Sequence, residues 1–73
     1  MMNKTAKEMF EDLGYEYSKN DSFISYDNVL YYNYILFELS EKRIDIGAGY
    51  STITIDELKA INQQCKELGW EYE

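Results

Sequence analysis

The sequence contains no histidine, a single cysteine and only seven lysines and arginines. Each scarcity excludes something. Without histidine the commonest general base and metal ligand is missing, and one thiol with no imidazole cannot assemble a zinc site. The lone Cys65 forms no disulfide within the chain and fits a reducing compartment. No apolar run approaches the roughly 20 residues that span a bilayer. Lys4 and Lys7 lead into a charged helix rather than an apolar signal segment. The basic residues are scattered, whereas phosphate binding needs several on one surface. Against fourteen carboxylates they leave a net charge of −7, which repels nucleic acid and anionic lipid and suits a basic protein partner. The expectation is a cytoplasmic chain without enzymatic activity, metal or cofactor, and with neither nucleic acid nor membrane as a direct partner.

At 73 residues the chain reads as one small domain, 1–73. A domain of this size buries only about 60–65% of its unfolded surface, so it needs dense packing or a partner. Aromatic residues make up 16% of it, eight of them tyrosine. So many phenols cannot all be central core, since each hydroxyl requires a hydrogen-bond partner or water.

One phrase occurs twice. Glu11-Asp12-Leu13-Gly14-Tyr15-Glu16-Tyr17 reappears as Lys66-Glu67-Leu68-Gly69-Trp70-Glu71-Tyr72, each a helix stopping on glycine with an aromatic folding back over the last turn. Each helix also opens on a capping box, Thr5-Ala6-Lys7-Glu8 and Thr54-Ile55-Asp56-Glu57. Ala6, Met9, Phe10 and Leu13 give the first helix its apolar stripe. Leu58, Ile61, Cys65 and Leu68 give the second its own, with Ile55 and Ala60 available to widen it.

Between the helices, β-branched and aromatic residues predict strands at Ser22 to Asp27, Val29 to Leu39 and Arg43 to Ala48, with Tyr15 to Ser18 as a candidate fourth. Asp27-Asn28 and Ser40-Glu41-Lys42 read as hairpin turns. The fold class expected is α+β: α-β-β-β-α, an antiparallel meander of three or four strands with both terminal helices on one face.

The chemistry of a reaction centre is sparse. Cys65 lies on an apolar helix stripe and reads as core. The adjacent acids Glu11-Asp12 and Asp56-Glu57 point apart on their helices. Gly47-Ala48-Gly49 followed by Ser51-Thr52 lacks both the lysine of a Walker loop and the third glycine of a dinucleotide fingerprint, and reads as a bend after a strand. The middle strand is more informative. Its second face offers Leu30, Tyr32, Tyr34 and Leu36 before Glu38, where a one-sided antiparallel sheet should be polar. Tyr-rich apolar patches with charged rims suit binding. The candidate partner-binding residues are Tyr32, Tyr34, Leu36, Glu38, Glu41, Asp45 and Tyr50.

The end phrases Thr5-Ala6-Lys7-Glu8-Met9-Phe10-Glu11-Asp12-Leu13-Gly14-Tyr15 and Glu57-Leu58-Lys59-Ala60-Ile61-Asn62-Gln63-Gln64-Cys65-Lys66-Glu67-Leu68-Gly69-Trp70 resemble those of small proteins encoded by phages and prophages of Firmicutes. The resemblance implies a mobile-element accessory gene expressed in a bacterial cytoplasm, and carries no catalytic residues with it. Three functions follow as expectations. The first is a protein-binding module that blocks a host protein, extending to a CRISPR-type defence inhibitor whose acidic surface imitates nucleic acid. The acids available to it are Glu8, Glu11, Asp12, Glu38, Glu41, Asp45, Glu67, Glu71 and Glu73. The second is a homodimer built through the Tyr-rich sheet face. The third is a small-ligand or nucleotide binder using that face and the Gly47–Thr52 bend.

Overall fold

A computed structural model describes residues 4–30, 32–47 and 52–70. Helix α1 spans Ala6–Asp12 and helix α2 spans Ile55–Glu67. Both capping boxes close. The Thr5 backbone N–H donates to Glu8 Oε1 at 2.9 Å and the Glu8 N–H to Thr5 Oγ1 at 3.2 Å; Thr54 and Glu57 reciprocate in the same way at 2.6 and 3.0 Å. Both ends close alike too. Gly14 and Gly69 take left-handed φ of 92° and 75°. Beyond them, the Tyr15 N–H donates to Phe10 O at 3.0 Å and the Trp70 N–H to Cys65 O at 2.8 Å. The repeated phrase is thus a repeated helix stop.

Strands β1 (Glu16–Lys19), β2 (Phe23–Asn28), β3 (Asn33–Glu38) and β4 (Arg43–Gly47) form one antiparallel sheet in the order β1-β2-β3-β4. The fold is therefore α-β-β-β-β-α, the four-stranded form of the expected meander. Most strand ends fall within a residue of expectation, and the larger departure lies between β2 and β3. Val29 to Leu39 is not a single strand: β3 begins at Asn33, while Asp27 and Asn28 end β2 instead of forming a turn, with Asn28 paired to Asn33. The chain reverses between Asn28 and Asn33, and neither glycine nor proline marks the place. Tyr32 closes the reversal at φ 55°, and Lys42 closes the β3–β4 connection at φ 54°. Each hairpin leaves four residues between its last pairs, Asn28–Asn33 and Glu38–Arg43.

Both helices cover one face of the sheet. Phe10 stacks on Tyr26 with ring centroids 4.0 Å apart and meets Tyr15 edge-on at 5.4 Å. Ile24, Ile35 and Phe37 complete the floor, and α2 adds Ala60 and Ile61. The helices run antiparallel. Glu67, at the end of α2, accepts from the Ala6 N–H at 2.8 Å, and Tyr15, just beyond α1, donates its hydroxyl to Glu57 in the first turn of α2.

The buried stripe of α2 is rotated from the expected one. Ala60 widens it as anticipated, but Leu58 and Ile55 are 41% and 67% exposed, and Gln64 is buried in their stead. The cause is Tyr26, whose enclosed hydroxyl requires an acceptor and finds Gln64 Oε1 at 2.5 Å. Cys65 is half-buried against the core, and burial raises its thiol pKa, the setting of a packing residue rather than a nucleophile.

Candidate functional site

Directly paired residues share a face of an antiparallel sheet, so the register fixes what the side away from the helices presents. One row reads Glu16, Asp27, Tyr34, Gly47; the next Ser18, Ser25, Leu36, Asp45; the last Phe23, Glu38, Arg43. Four carboxylates and one guanidinium give this face a net charge of −3. Arg43 Nη2 lies 3.7 Å from Glu38 Oε1. Glu16 and Asp27 stand directly opposite one another, a like-charge pairing that destabilises a sheet. Ser25 Oγ donates to Asp27 Oδ2 at 3.2 Å.

Tyr34 packs tightly across the sheet. Its ring lies over the backbone of Gly47, where any Cβ would collide with it. Aromatics commonly cover glycines on edge strands in this way, and the contact leaves Tyr34 only 38% exposed.

The row containing Tyr34 borders the β2–β3 reversal, where Val29, Leu30 and Tyr32 are 62%, 82% and 84% exposed. Tyr32 combines that exposure with a left-handed backbone, which is disfavoured for a bulky side chain. The same end of the molecule carries the start of α2, tied down by Tyr15, with Ile53 and Ile55 also exposed. Beneath the reversal, Asn28 Nδ2 donates to Leu13 O at 3.4 Å. Burial, then the hydrogen bond to Glu57, pushes the Tyr15 phenol up to about 12. Asn33 Oδ1 is buried there with no hydrogen-bond partner among the described residues. Apolar exposure and an unsatisfied polar atom thus gather at one end.

The sequence-predicted residues divide accordingly. Tyr34, Leu36, Glu38 and Asp45 share the outer face as expected. Tyr32 is not on that face but at the tip of the reversal, because β3 starts one residue after it. Glu41 lies in the β3–β4 connection, and Tyr50 lies outside the described residues, as do Glu71, Glu73 and most of the Gly47–Thr52 bend. Of the acids assigned to a mimicking surface, several are engaged locally. Glu8 completes a capping box, Asp12 pairs with Lys4, Glu11 lies 3.8 Å from Lys7, and Glu67 caps α1. Glu16 and Asp27 were not singled out by the sequence. They become visible only once Tyr15 to Ser18 is paired as a strand, which places them side by side next to Tyr34.

A shallow depression on β4 is lined by Glu38, Arg43, Ile44 and Asp45. Among the described residues no cluster of three acidic or cysteine side chains is placed to hold a metal ion, and no helix is long and apolar enough to cross a membrane. Compared with known proteins, the chain matches no family model, no curated protein and no solved structure.

Proposed function

We propose that this protein is a non-enzymatic binding module that docks on a basic protein. The β2–β3 tip serves as its apolar anchor and the acidic outer face of the sheet as its steering surface. The observation that carries the reading is the tip itself, where Leu30 and Tyr32 stand more than four-fifths exposed and Tyr32 holds a left-handed backbone. A marginal domain gains nothing in its own core from such residues. Exposed tyrosine and leucine beside charge have the composition of an interface centre. The Glu16–Asp27 pair alongside is destabilising alone and becomes favourable against a cationic surface.

The blocking of a host protein in a bacterial cytoplasm, and the further step to inhibition of a CRISPR-type defence, rest on the resemblance of the two end phrases and on net charge. The outer face supports charge attraction more than imitation of a duplex, since among the described residues it carries three carboxylates outside any ion pair, across two rows rather than in a regular line.

The test compares the tagged wild-type chain with Leu30→Ser/Tyr32→Asn in affinity capture from bacterial lysate at low and high salt. Thermal denaturation of both proteins establishes equal folding. A basic protein retained by the wild type, weakened by salt and lost from the equally stable variant is the expected outcome. Capture that survives the variant removes the tip from the interface, and capture indifferent to salt removes the acidic face.

A further inference from the structure

Among the described residues nothing pairs with either edge of the sheet, and the two edges are not equivalent. We propose that β4 pairs with β4 of a second copy of this chain about a twofold axis at Ile44, joining two sheets into one of eight strands. An open edge is a row of backbone donors and acceptors awaiting a strand, and among the described residues nothing pairs with the outer side of β4. The strand contains no proline. Its side chains at the edge, Arg43, Ile44 and Asp45, also line the depression on β4.

Charge complementarity selects both the occupant and the register. With Ile44 opposite Ile44 of the second copy, Arg43 faces Asp45 of that copy, and Asp45 faces its Arg43. Two cross-strand ion pairs therefore form on the outer face. Arg43 would stand between Glu38 of its own chain and Asp45 of the other. Ile46, 45% exposed on the inner face, becomes the diagonal neighbour of Ile44 of the second copy. The two adjacent registers that keep the same faces together centre on Asp45 or on Arg43 and set two like charges directly opposite, which is unfavourable. The other edge offers no such match. With faces preserved, β1 sets Glu16 opposite Ser18 or Tyr17 opposite Lys19, with no pairing of opposite charges. In addition, Lys7 of α1 lies 5.3 Å from the centroid of the Tyr17 ring on that edge strand.

A single short strand pair buries less than the roughly 1,200 Å² of stable complexes, so the dimer is weak and concentration-dependent. It also leaves the β2–β3 tip free, so its failure and the failure of tip binding are separately observable.

Sedimentation equilibrium from about 10 µM to about 1 mM tests the proposal, spanning the range for so small an interface. The wild type should show a reversible monomer–dimer equilibrium. Arg43→Asp and Asp45→Arg should each raise the dissociation constant about tenfold or more, since each turns two attractive pairs repulsive. The double exchange Arg43→Asp/Asp45→Arg, made together with Glu38→Gln so that no carboxylate faces the exchanged position within its own chain, should restore association to the level of Glu38→Gln alone. Asp45→Asn identifies the register by sign: it weakens a dimer centred on Ile44 and strengthens one centred on Asp45. A wild type monomeric throughout, single variants that associate normally, or a double exchange that does not recover would each overturn the proposal. A monomer would leave the β4 edge to an extended segment of another protein.

Discussion

The Tyr26 hydroxyl and the Gln64 side-chain carbonyl meet at 2.5 Å in a core otherwise made of rings and aliphatic chains. Tyr26 is fully buried and Gln64 is 4% exposed, so neither can exchange its partner for water. Losing one member of such a pair leaves the other desolvated and unmatched, at a cost of about 1–3 kcal/mol. Removing both polar groups while keeping the volume is nearly neutral. Gln64→Leu alone should therefore lower stability by about 2 kcal/mol in urea denaturation, and Tyr26→Phe/Gln64→Leu should recover most of it. Additive losses in the double variant would mean that ring packing, not the hydrogen bond, sets the cost. The pair also accounts for the rotated face of α2. An i, i+3, i+4 pattern scores glutamine as outward-facing, and only a buried phenol on the opposing strand reverses that preference.

At the level of elements, the two helix stops can be compared directly because they share their chemistry. Gly14 and Gly69 both sit at positive φ, and a Cβ on either would meet nothing closer than ordinary contact. The left-handed backbone alone should decide the cost. Gly14→Ala and Gly69→Ala are expected to lose about 1–2 kcal/mol each, within a few tenths of one another, by thermal denaturation. A much larger loss at Gly14 would show that Asn28, 3.5 Å from the added carbon, cannot yield. These stops were legible because glycine and the following aromatic announce them, as the capping threonines and glutamates announce the starts. The β2–β3 reversal was legible but misplaced: Asp27-Asn28 announces a turn, yet both residues end β2 and the chain turns only after them. Val29 to Leu39 is β-prone and apolar except at Asn33 and Glu38, and the left-handed residue that closes the bend is a tyrosine, with no glycine or Asn-Gly to mark it. That misplacement propagated into the candidate site. Alternation correctly gathered Tyr34, Leu36, Glu38 and Asp45 on the outer face, while Tyr32 was assigned to a strand it does not occupy. Val29 and Leu30 were read as sheet instead of tip. Glu16 and Asp27 needed a strand pairing that composition alone does not supply.

On the scale of the whole molecule, two phenols connect the layers. Tyr15 reaches from the start of β1 to Glu57 of α2, and Tyr26 from the centre of the sheet to Gln64 further along the same helix. Burial is the leading cause that raises both above the ordinary tyrosine value of 10, Tyr15 to about 12 and Tyr26 higher still. The folded state thus holds these protons more tightly than the unfolded chain does. Their contribution to stability is fully present below pH 10 and is lost as pH rises through the folded values. Since, among the described residues, these are the side-chain hydrogen bonds that tie α2 to the sheet and its leading residue, alkaline titration should detach the layers and ionise the phenols in one transition. Tyrosinate absorbance and near-UV circular dichroism, followed together from neutral pH upward, should show a step at about pH 12 in which the Tyr15 and Tyr26 phenols ionise and the tertiary signal is lost together. Tyr15→Phe sharpens the test. It lowers stability at neutral pH through the lost hydrogen bond, yet removes one alkaline-labile group, so stability should decline less steeply between pH 10 and 12 than in the wild type. An equally steep decline in the variant would mean that Tyr15 ionises without unfolding the protein, and that the attachment of α2 rests on Tyr26 and the core rings alone.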